Sequence, residues 1–366
     1  MNRLSVSSVA MLGAERQYVD DALVRGELSW HGEYVRRFED RFARYCAVPE
    51  AVSCCNGTAA LHLALLAMGI GPGDVVYLPA LSFVATANAV SYVGATPVFC
   101  DIDHSTWCLD PRDVEAQISQ HQQPWRKREA ILPVHLYGMP ADMVALRSIA
   151  ETYGVSLIED AAEAHGASVG GLCVGSLGDV AAFSFFANKM LTTGEGGMVT
   201  TSDASIAQRV RHLRGQCQTE RRYYHDAVGY NYRLTNLSAA IGLAQVETAF
   251  LHEAKRNAVV LAYQRYLSKF EQQRAPDGTE PAPWLYTMLL PHGVDREAVM
   301  ASMDADGIET RPTFIPLTDL PPYRGQTPPV AADVGARGLS LPTHAAMDEE
   351  DVYRVVLSLL KAVDRA

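Results

Sequence analysis

The sequence predicts an α/β protein built on a mainly parallel, seven-stranded sheet, with a smaller C-terminal α/β domain. Seven short apolar runs recur between residues 50 and 201, and most of them are separated by enough residues for a crossover helix. Buried parallel strands carry near-continuous apolar runs, so we assign these segments as strands. They lie at residues 51–55, 75–78, 97–102, 130–134, 155–159, 181–185 and 198–201.

The chain opens with two predicted amphipathic helices. In the second, Val35, Phe38, Phe42 and Tyr45 recur at helical spacing, which places them on one buried face. Residues 26–32 are rich in glycine and polar residues and are expected to form the loop between the two helices. A further helix at 59–68 directly follows the first strand.

The last third of the chain reads as a separate unit. A long helical region at 236–270 leads away from the sheet, and the polar, proline-containing segment 272–281 marks a boundary. The remaining predicted elements are a strand at 284–290, a helix at 296–306, a proline-rich stretch at 311–329 and a last helix at 350–363. We therefore expect a large domain of residues 1–250 and a small domain of residues 251–366.

Composition and charge narrow the classes of function. Hydrophobic residues make up 48% and charged residues 20% of the chain, the proportions of an ordinary globular protein. The formal net charge of -11 argues against nucleic acid or an anionic membrane as the main partner. The basic run at 209–214 is explained as the solvated face of a helix. No stretch approaches 18 uninterrupted apolar residues, so we expect no membrane span.

The cysteine pattern bears on the cellular compartment. The seven cysteines are an odd number and include no C-x-x-C pair. This favours reduced thiols over a disulfide framework and indicates a cytoplasmic protein. The N-terminus carries no apolar core of the length found in signal peptides.

Two polar residues follow successive apolar strands. Asp160 directly follows the run at 155–159. Lys189 follows the run at 181–185 and lies just before a glycine-rich turn. Ligands of such sheets bind at the carboxyl ends of the strands, so both side chains are expected in one site. Pyridoxal phosphate requires a lysine that forms an imine with its aldehyde and a carboxylate that keeps its pyridine nitrogen protonated. A surface lysine beside an ordinary turn would give the same pattern at Lys189 alone.

Further residues could bind the phosphate and the ring of this cofactor. Asn56, Gly57 and Thr58 follow the first strand and open a helix, whose free N–H groups and dipole favour an anion. An ordinary N-cap would look the same. Ser184 could donate its hydroxyl to the phosphate, and Phe83 could stack on the ring. The alternatives are a hydrogen-bonded core serine and a packed core phenylalanine.

Two other kinds of site are disfavoured. The glycine-rich tract at 69–73 follows a helix and precedes a strand, the reverse of the order in a dinucleotide-binding turn. A nicotinamide enzyme is therefore not expected. His62, His135 and His165 form no metal-like cluster in the sequence, and we expect no metal.

Several of these motifs together resemble one enzyme family. Over roughly residues 10–360 the chain is similar to the pyridoxal-phosphate-dependent sugar aminotransferases of the DegT/DnrJ/EryC1/StrS group, within the fold type I, aspartate aminotransferase-like superfamily. The resemblance is carried by NGTAALHLA at 56–64, FVATAN at 83–88, IEDAAEAHG at 158–166, FSFFANK at 183–189 and TGEGGM at 193–198. It implies an α/β fold of type I and a transaminase that uses pyridoxal 5'-phosphate.

The resemblance also implies roles for residues at the catalytic end of the site. Lys189 matches the lysine that forms the internal aldimine, and Asp160 matches the carboxylate on the pyridine nitrogen. Glu163 lies beside the ring, where relatives carry Gln, His or Glu. Phe83 matches the aromatic residue that stacks on the ring.

The phosphate end of the site is implied in the same way. Gly57, Thr58 and Ser184 match phosphate ligands in relatives, beside the helix N-terminus at Asn56. Asn231 matches an asparagine that reaches the phosphate bound by the neighbouring subunit. The resemblance therefore implies a homodimer with shared active sites.

Within the family, the likeness is strongest to members that aminate C4 of a GDP-linked 4-keto-6-deoxy sugar with L-glutamate. It rests on residues 224–226, 229–242, 309–316 and 320–323. We expect the nucleotide sugar to contact Ser29, Glu163, Arg311, Thr313 and Phe314. Departures from the usual pattern at Glu27 and at 313–315 leave a dTDP- or UDP-linked sugar, or a 3-keto sugar, as alternatives.

Two other functions remain within the same fold. The sugar dehydratases that resemble this family carry histidine at the lysine position, so Lys189 argues against that activity. A non-catalytic homologue would not require Lys189, Asp160 and a phosphate site together.

Overall fold

The computed structural model describes residues 3–121 and 128–366, and within these ranges the chain forms twelve α-helices and fourteen β-strands. The helices are α1 (Glu15–Val24), α2 (Glu33–Tyr45), α3 (Gly57–Ala67), α4 (Ala85–Tyr92), α5 (Pro111–His121), α6 (Met143–Tyr153), α7 (Ala204–Arg214), α8 (Asn236–Glu247), α9 (Ala249–Tyr266), α10 (Arg296–Ala305), α11 (Pro329–Arg337) and α12 (Glu349–Val363). None of the helices in the described part of the chain is both long and apolar enough to cross a membrane.

The strands form three sheets. They are β1 (Glu50–Cys54), β2 (Val75–Pro79), β3 (Thr96–Cys100), β4 (Glu129–Ile131), β5 (Ser156–Asp160), β6 (Ser168–Val169), β7 (Leu172–Cys173), β8 (Val180–Ser184), β9 (Gly197–Thr201), β10 (Glu271–Gln272), β11 (Thr279–Glu280), β12 (Tyr286–Leu289), β13 (Arg311–Pro312) and β14 (Gly338–Leu341). Short 3-10 helices lie at Leu136–Gly138, Leu317–Asp319 and Pro321–Tyr323.

The central sheet has seven strands in the order β1-β9-β8-β5-β4-β2-β3. The pairs from β8 through β5, β4 and β2 to β3 are parallel, whereas β9 is antiparallel to both of its neighbours. All seven apolar runs singled out in the sequence form these strands. The prediction of a mainly parallel, seven-stranded sheet is therefore confirmed.

Helices cover both faces of this sheet. Successive residues of a strand point to opposite faces. In β2, Val75 and Tyr77 belong to one hydrophobic core, which also contains apolar residues of α5 and α6. Val76 and Leu78 belong to a second core with residues of α3, α4 and α7. A strand buried on both faces reads as a continuous apolar run, which explains why it was visible in the sequence.

A third core joins the N-terminal helices to the sheet. Phe38 and Phe42 of α2 are fully buried and pack edge-on against Phe185, with ring centroids 5.1 Å away in both cases. Helix α8 contributes Leu243 and Val246 to the same core. The helical pattern read from α2 is thus confirmed, because its apolar face is the one that is buried.

The C-terminal residues form a second sheet, which helices cover. Strands β10, β12, β14 and β13 make an antiparallel sheet in that order. It is covered by α9, α10 and α12, which supply Tyr263, Val299 and Leu359 to a fourth core. The predicted strand and both predicted helices are present. Helix α11 and strand β14, which follow the proline-rich stretch, were not predicted.

Two boundaries differ from the sequence-based expectation. The helical region predicted at 236–270 is two helices, because the chain turns at Thr248 between α8 and α9. At the N-terminus, Leu4 exchanges backbone hydrogen bonds with Gly307 and Glu309 at 2.9 Å each, so the first residues pair with the C-terminal layer. We propose a domain boundary near residue 250, with the N-terminal segment crossing to the small domain.

All seven cysteines are free thiols.

Candidate active site

The carboxyl ends of the parallel strands border a cavity of about 490 Å³. Gly57, Asp160, Ser184 and Lys189 all line it, although more than a hundred residues separate the first from the last in the chain. The other wall comes from the C-terminal layer and includes Trp284. The sequence thus predicted correctly that these strand ends lie together, and they border one cavity.

Lys189 points into this cavity. Its side chain is 11% exposed, and its Nζ lies 3.4 Å from Oε1 of Glu163. The same nitrogen lies 3.8 Å from the centroid of the Trp284 ring. A lysine that merely reached solvent would be largely exposed. The alternative of an ordinary surface lysine is therefore excluded by its burial.

Asp160 is the last residue of β5 and faces the cavity. Its Oδ2 accepts a hydrogen bond of 2.8 Å from Thr86 Oγ1, and its Oδ1 accepts one of 3.2 Å from the backbone N–H of Ala162. Thr86 is itself fixed by Ser82, with 2.8 Å between the two hydroxyl oxygens. Burial raises the pKa of Asp160, while the Thr86 hydroxyl, the Ala162 N–H and the positive charge of Lys189 oppose that rise. A cation that entered the cavity beside it would further stabilise the carboxylate.

Glu159 precedes Asp160 and points to the opposite face of β5. It is fully buried and accepts backbone N–H bonds from Gly175, Leu177 and Gly178. His135 Nε2 lies 3.1 Å from Oε2 of the same carboxylate. With four partners around it, Glu159 holds the turn at 175–178 and has no access to the cavity.

Glu163 forms one wall of the site. It is 5% exposed, and its Oε2 accepts a hydrogen bond of 2.8 Å from the backbone N–H of Tyr137. Burial raises the pKa of Glu163, and the positive charge of Lys189 opposes that rise. Tyr137 has a φ of +56°, a conformation that few residues other than glycine adopt. This backbone conformation turns its N–H toward Glu163.

A cradle for an anion lies at the start of α3. Asn56 caps the helix by accepting the N–H of Ala59 at 2.8 Å, which leaves the N–H groups of Gly57 and Thr58 without an acceptor in the described part of the chain. A Cβ on Gly57 would lie 2.7 Å from Cβ of Ser184, closer than side chains can approach. Glycine therefore brings the helix N-terminus against the end of β8. Free N–H groups at a helix N-terminus favour a phosphate.

We expect Gly57→Ala to weaken binding of pyridoxal phosphate about tenfold, or 1.4 kcal/mol, because the added methyl group separates α3 from Ser184 and misaligns charge-assisted hydrogen bonds. An absorbance titration of cofactor-free protein measures this affinity. Gly71→Ala is the matched control, because a Cβ there would lie no closer than 3.9 Å to any neighbouring atom. An unchanged dissociation constant in Gly57→Ala would place the phosphate elsewhere.

Aromatic residues surround the opening of the cavity. Phe83 is 55% exposed, and its ring lies 5.8 Å from that of Phe314. The ring of Tyr137 is nearly parallel to those of Phe314 and Trp284, with interplanar angles of 16° and 14°. Phe83 is not a packed core residue, which leaves its face available to a planar ligand.

Three predicted residues do not line the cavity. Asn231 and Ser29 are exposed and lie outside the lining of their own chain's site. Thr313 is 2% exposed, and its hydroxyl donates to the backbone carbonyl of Val334 at 2.9 Å. Thr313 therefore does not line the cavity, because its side chain faces the fold, and its contact with the substrate stays a prediction. Arg311 and Phe314, on either side of it, do line the cavity.

The structure adds residues that sequence reasoning missed. Trp284, Tyr137 and Asn188 line the cavity. Trp284 begins a predicted strand, so its type suggested only core packing. The left-handed backbone of Tyr137 leaves no signal in the sequence. Asn188 precedes Lys189, and its Oδ1 is buried without a hydrogen-bond partner in the described part of the chain, so it is free to bind a ligand.

One group of possible metal ligands lies in the described residues. Atoms of His212, Cys217 and Asp226 lie within 4.8 Å of one another. His212 Nε2 and Asp226 Oδ1 are already 2.7 Å apart, and none of the three residues lines the cavity. This group plays no part in the site described above.

The family of the chain follows from its similarity to known proteins. Residues 11–360 match the DegT/DnrJ/EryC1/StrS aminotransferase family. The chain belongs to this family. The predicted family resemblance and the type of enzyme, an aminotransferase, are thereby confirmed.

Individual relatives cover almost the whole chain. GDP-perosamine synthase from Caulobacter vibrioides is 45% identical over 98% of this chain and 97% of its own length. The putative pyridoxal phosphate-dependent aminotransferase EpsN from Bacillus subtilis is 32% identical over 98% and 95%. A crystal structure of DesI in the presence of its TDP-sugar product superimposes with a TM-score of 0.90. Its sequence is 34% identical to this one, and the match covers 99% of this chain and 94% of that one. The expected type I fold is thus confirmed.

Proposed function

We propose that this enzyme uses pyridoxal 5'-phosphate to move the amino group of L-glutamate to the keto carbon of a nucleotide-linked 4-keto-6-deoxy sugar. The first candidate substrate is a GDP-linked sugar. One observation supports the proposal most strongly: the Lys189 amine and the Asp160 carboxylate face the same cavity as the anion cradle at Gly57. The similarity to GDP-perosamine synthase, which extends over 98% of this chain, supports a GDP-linked sugar as the first candidate.

The residues of the cavity fit this cofactor. The cradle formed by Gly57, Thr58 and Ser184 suits a phosphate, because it offers free N–H groups and hydroxyls. Asp160 is buried and can neutralise a protonated ring nitrogen. Phe83 offers an exposed aromatic face for the ring. When bound, pyridoxal phosphate supplies an aldehyde for covalent attachment and a ring that stabilises negative charge next to the reacting carbon.

Lys189 has two tasks in this proposal. Its amine would hold the cofactor in the cavity by condensing with the aldehyde, with loss of water. When it is not bonded to the cofactor, Nζ would be the group that accepts and returns the proton moved between the substrate carbon and the cofactor. The burial of Lys189 excludes water from this transfer, since its side chain is 11% exposed.

Glu163 and Asn188 supply hydrogen-bond acceptors beside the reacting group. Oε2 of Glu163 accepts the N–H of Tyr137, and among the described residues Oε1 is in contact with Lys189. A carboxylate oxygen has two lone pairs, so Oε1 can accept a hydrogen bond from a sugar hydroxyl while it contacts Lys189. Oδ1 of Asn188 has no partner in the described residues and can accept a second hydrogen bond. Unpaired buried acceptors of this kind discriminate against ligands that lack the matching group.

Arg311 is the second cation of the cavity. Lys189 and Arg311 are the positively charged members of its lining in the part of the chain that the structure describes. Arg311 Nη2 lies 3.3 Å from Oε1 of Glu309, which orients the guanidinium. A guanidinium pairs well with a carboxylate or a phosphate. We assign Arg311 to anion recognition, for the glutamate carboxylate or the diphosphate of the sugar.

The substrate is tested by incubating the enzyme with glutamate and either GDP- or dTDP-linked 4-keto-6-deoxy sugars. We expect kcat/KM for the guanosine compound to be higher by about tenfold or more, since guanine and thymine differ in their hydrogen-bonding groups and each net hydrogen bond contributes about 1 kcal/mol. The amino sugar formed is identified by mass spectrometry and NMR. A preference for the thymidine compound would contradict the GDP assignment and leave the aminotransferase assignment intact.

We also propose a homodimer in which Asn231 serves the cofactor phosphate of the partner subunit. Asn231 is exposed, and the segment before it exposes Tyr223 and Val228 to 78% and 84%. Tyr224 in the same segment is exposed as well, and a second subunit that covered these side chains would remove apolar surface from water. The sequence resemblance points to a second copy of the chain as the partner.

Mixing inactive Lys189→Ala chains with inactive Asn231→Asp chains should restore about a quarter of the wild-type activity, because half of the dimers are mixed and each contains one native site. Activity is measured after subunit exchange, which labelled chains verify by native mass spectrometry. Exchange without recovery of activity would assign Asn231 to the site of its own subunit.

A further inference from the structure

The Lys189 amine lies against the ring of Trp284, a residue to which the proposed function gives no role. The distance from Nζ to the ring centroid is 3.8 Å, well within the range of a cation–π interaction. Trp284 is 4% exposed and the Lys189 side chain 11%. The contact is therefore buried, where the attraction of a cation to an aromatic face is strongest.

The ring of Trp284 is held in place independently of Lys189. Its indole N–H donates to the carbonyl of Asn188 at 2.7 Å, and its backbone N–H donates to the carbonyl of Tyr137 at 3.0 Å. Its own carbonyl accepts a hydrogen bond of 2.6 Å from the guanidinium of Arg256. Arg256 is fully buried, and burial lowers its pKa to about 10. A buried cation that bonds to a backbone carbonyl fixes that backbone firmly.

Tyr137 also fixes Glu163, the second partner of the Lys189 amine. Oε1 of Glu163 lies 3.4 Å from Nζ, and its Oε2 accepts the N–H of Tyr137. The backbone of Tyr137 therefore orients both Glu163, through its N–H, and Trp284, through its carbonyl. A carboxylate and an aromatic face both favour a cation over a neutral amine.

We propose that Trp284 and Glu163 form a resting position for the Lys189 ammonium in the pyridoxamine phosphate form of the enzyme, before the keto sugar binds. The inference rests on the proposed function, because it takes Lys189 as the cofactor lysine. Trp284 is then a positioning residue. It holds the free amine beside Glu163, in the cavity that Asp160 also lines.

The test measures the chemical reactivity of Lys189 in protein loaded with pyridoxamine phosphate. Acetic anhydride reacts with unprotonated amines, and peptide mass spectrometry gives the acylation rate of Lys189 relative to the exposed Lys255. We expect slow labelling in the wild type and in Trp284→Phe, which keeps an aromatic face. Trp284→Leu should label about fivefold faster or more, because the cation–π contact is lost.

A control separates loss of this contact from a wider cavity. Phe186 lines the same cavity and is 45% exposed, so Phe186→Leu removes an aromatic ring without touching the Trp284 pair. Equal acceleration in Phe186→Leu, or wild-type labelling in Trp284→Leu, would overturn the resting position. Loading with pyridoxal phosphate should protect Lys189 in every variant. Failure of that protection would instead contradict the assignment of Lys189 as the cofactor lysine.

Discussion

Replacing Lys189 with alanine is expected to abolish transamination, with a loss of at least about 10³-fold in kcat, because in the proposed function Lys189 both attaches the cofactor and transfers the proton. The visible absorbance of the lysine-bound cofactor should disappear as well. Trapping with borohydride followed by peptide mass spectrometry measures the attachment directly. The fold should persist, since the contacts of Nζ in the described part of the chain are with Glu163 and the ring of Trp284.

Lys189→Arg is the matched control for this prediction. Arginine keeps the positive charge beside Glu163, but its guanidinium does not lose a proton at ordinary pH and forms no imine. The variant should therefore be as inactive as Lys189→Ala. Appreciable turnover in either variant, with no borohydride-sensitive bond, would show that a residue other than Lys189 holds the cofactor.

Much of the fold and of the catalytic end of the site could be predicted, because both depend on strands that are buried on both faces. Such strands leave continuous apolar runs, and their carboxyl ends meet at one edge of the sheet. The two residues that end these runs, Asp160 and Lys189, were therefore expected to lie together, and they line one cavity. The glycine at position 57 was equally visible, since it follows a strand and opens a helix.

The parts that escaped prediction depend on backbone conformation and on packing between distant segments. Tyr137 orients Glu163 through a left-handed backbone, which no residue type in its neighbourhood signals. Trp284 enters the site from the C-terminal layer, although its sequence context indicates only a strand. Thr313, which directly follows β13, lies outside the cavity for a similar reason, because its hydroxyl donates to the carbonyl of Val334.

Asp160→Asn is expected to retain the cofactor but to lose activity by roughly 10²- to 10³-fold in kcat, the usual loss when one buried electrostatic group is removed. An amide at this position still accepts a hydrogen bond from Thr86, whose hydroxyl now donates at 2.8 Å to Oδ2. It cannot balance the charge of a protonated ring nitrogen. Rates of the half-reaction with glutamate, measured by rapid mixing, separate this chemical loss from any change in cofactor affinity.

Glu159→Gln supplies the control, because the two carboxylates are neighbours on β5 but face opposite sides of the sheet. Glu159 accepts three backbone N–H groups, and a glutamine amide would direct an N–H at one of them. We expect the free energy of unfolding to fall by about 2 to 4 kcal/mol while the folded enzyme keeps its turnover. The reverse pattern, with full turnover in Asp160→Asn and loss in Glu159→Gln, would transfer the role at the ring nitrogen to Glu159. The burial of Glu159 among four donors makes that reversal physically untenable without a rearrangement of the turn at 175–178.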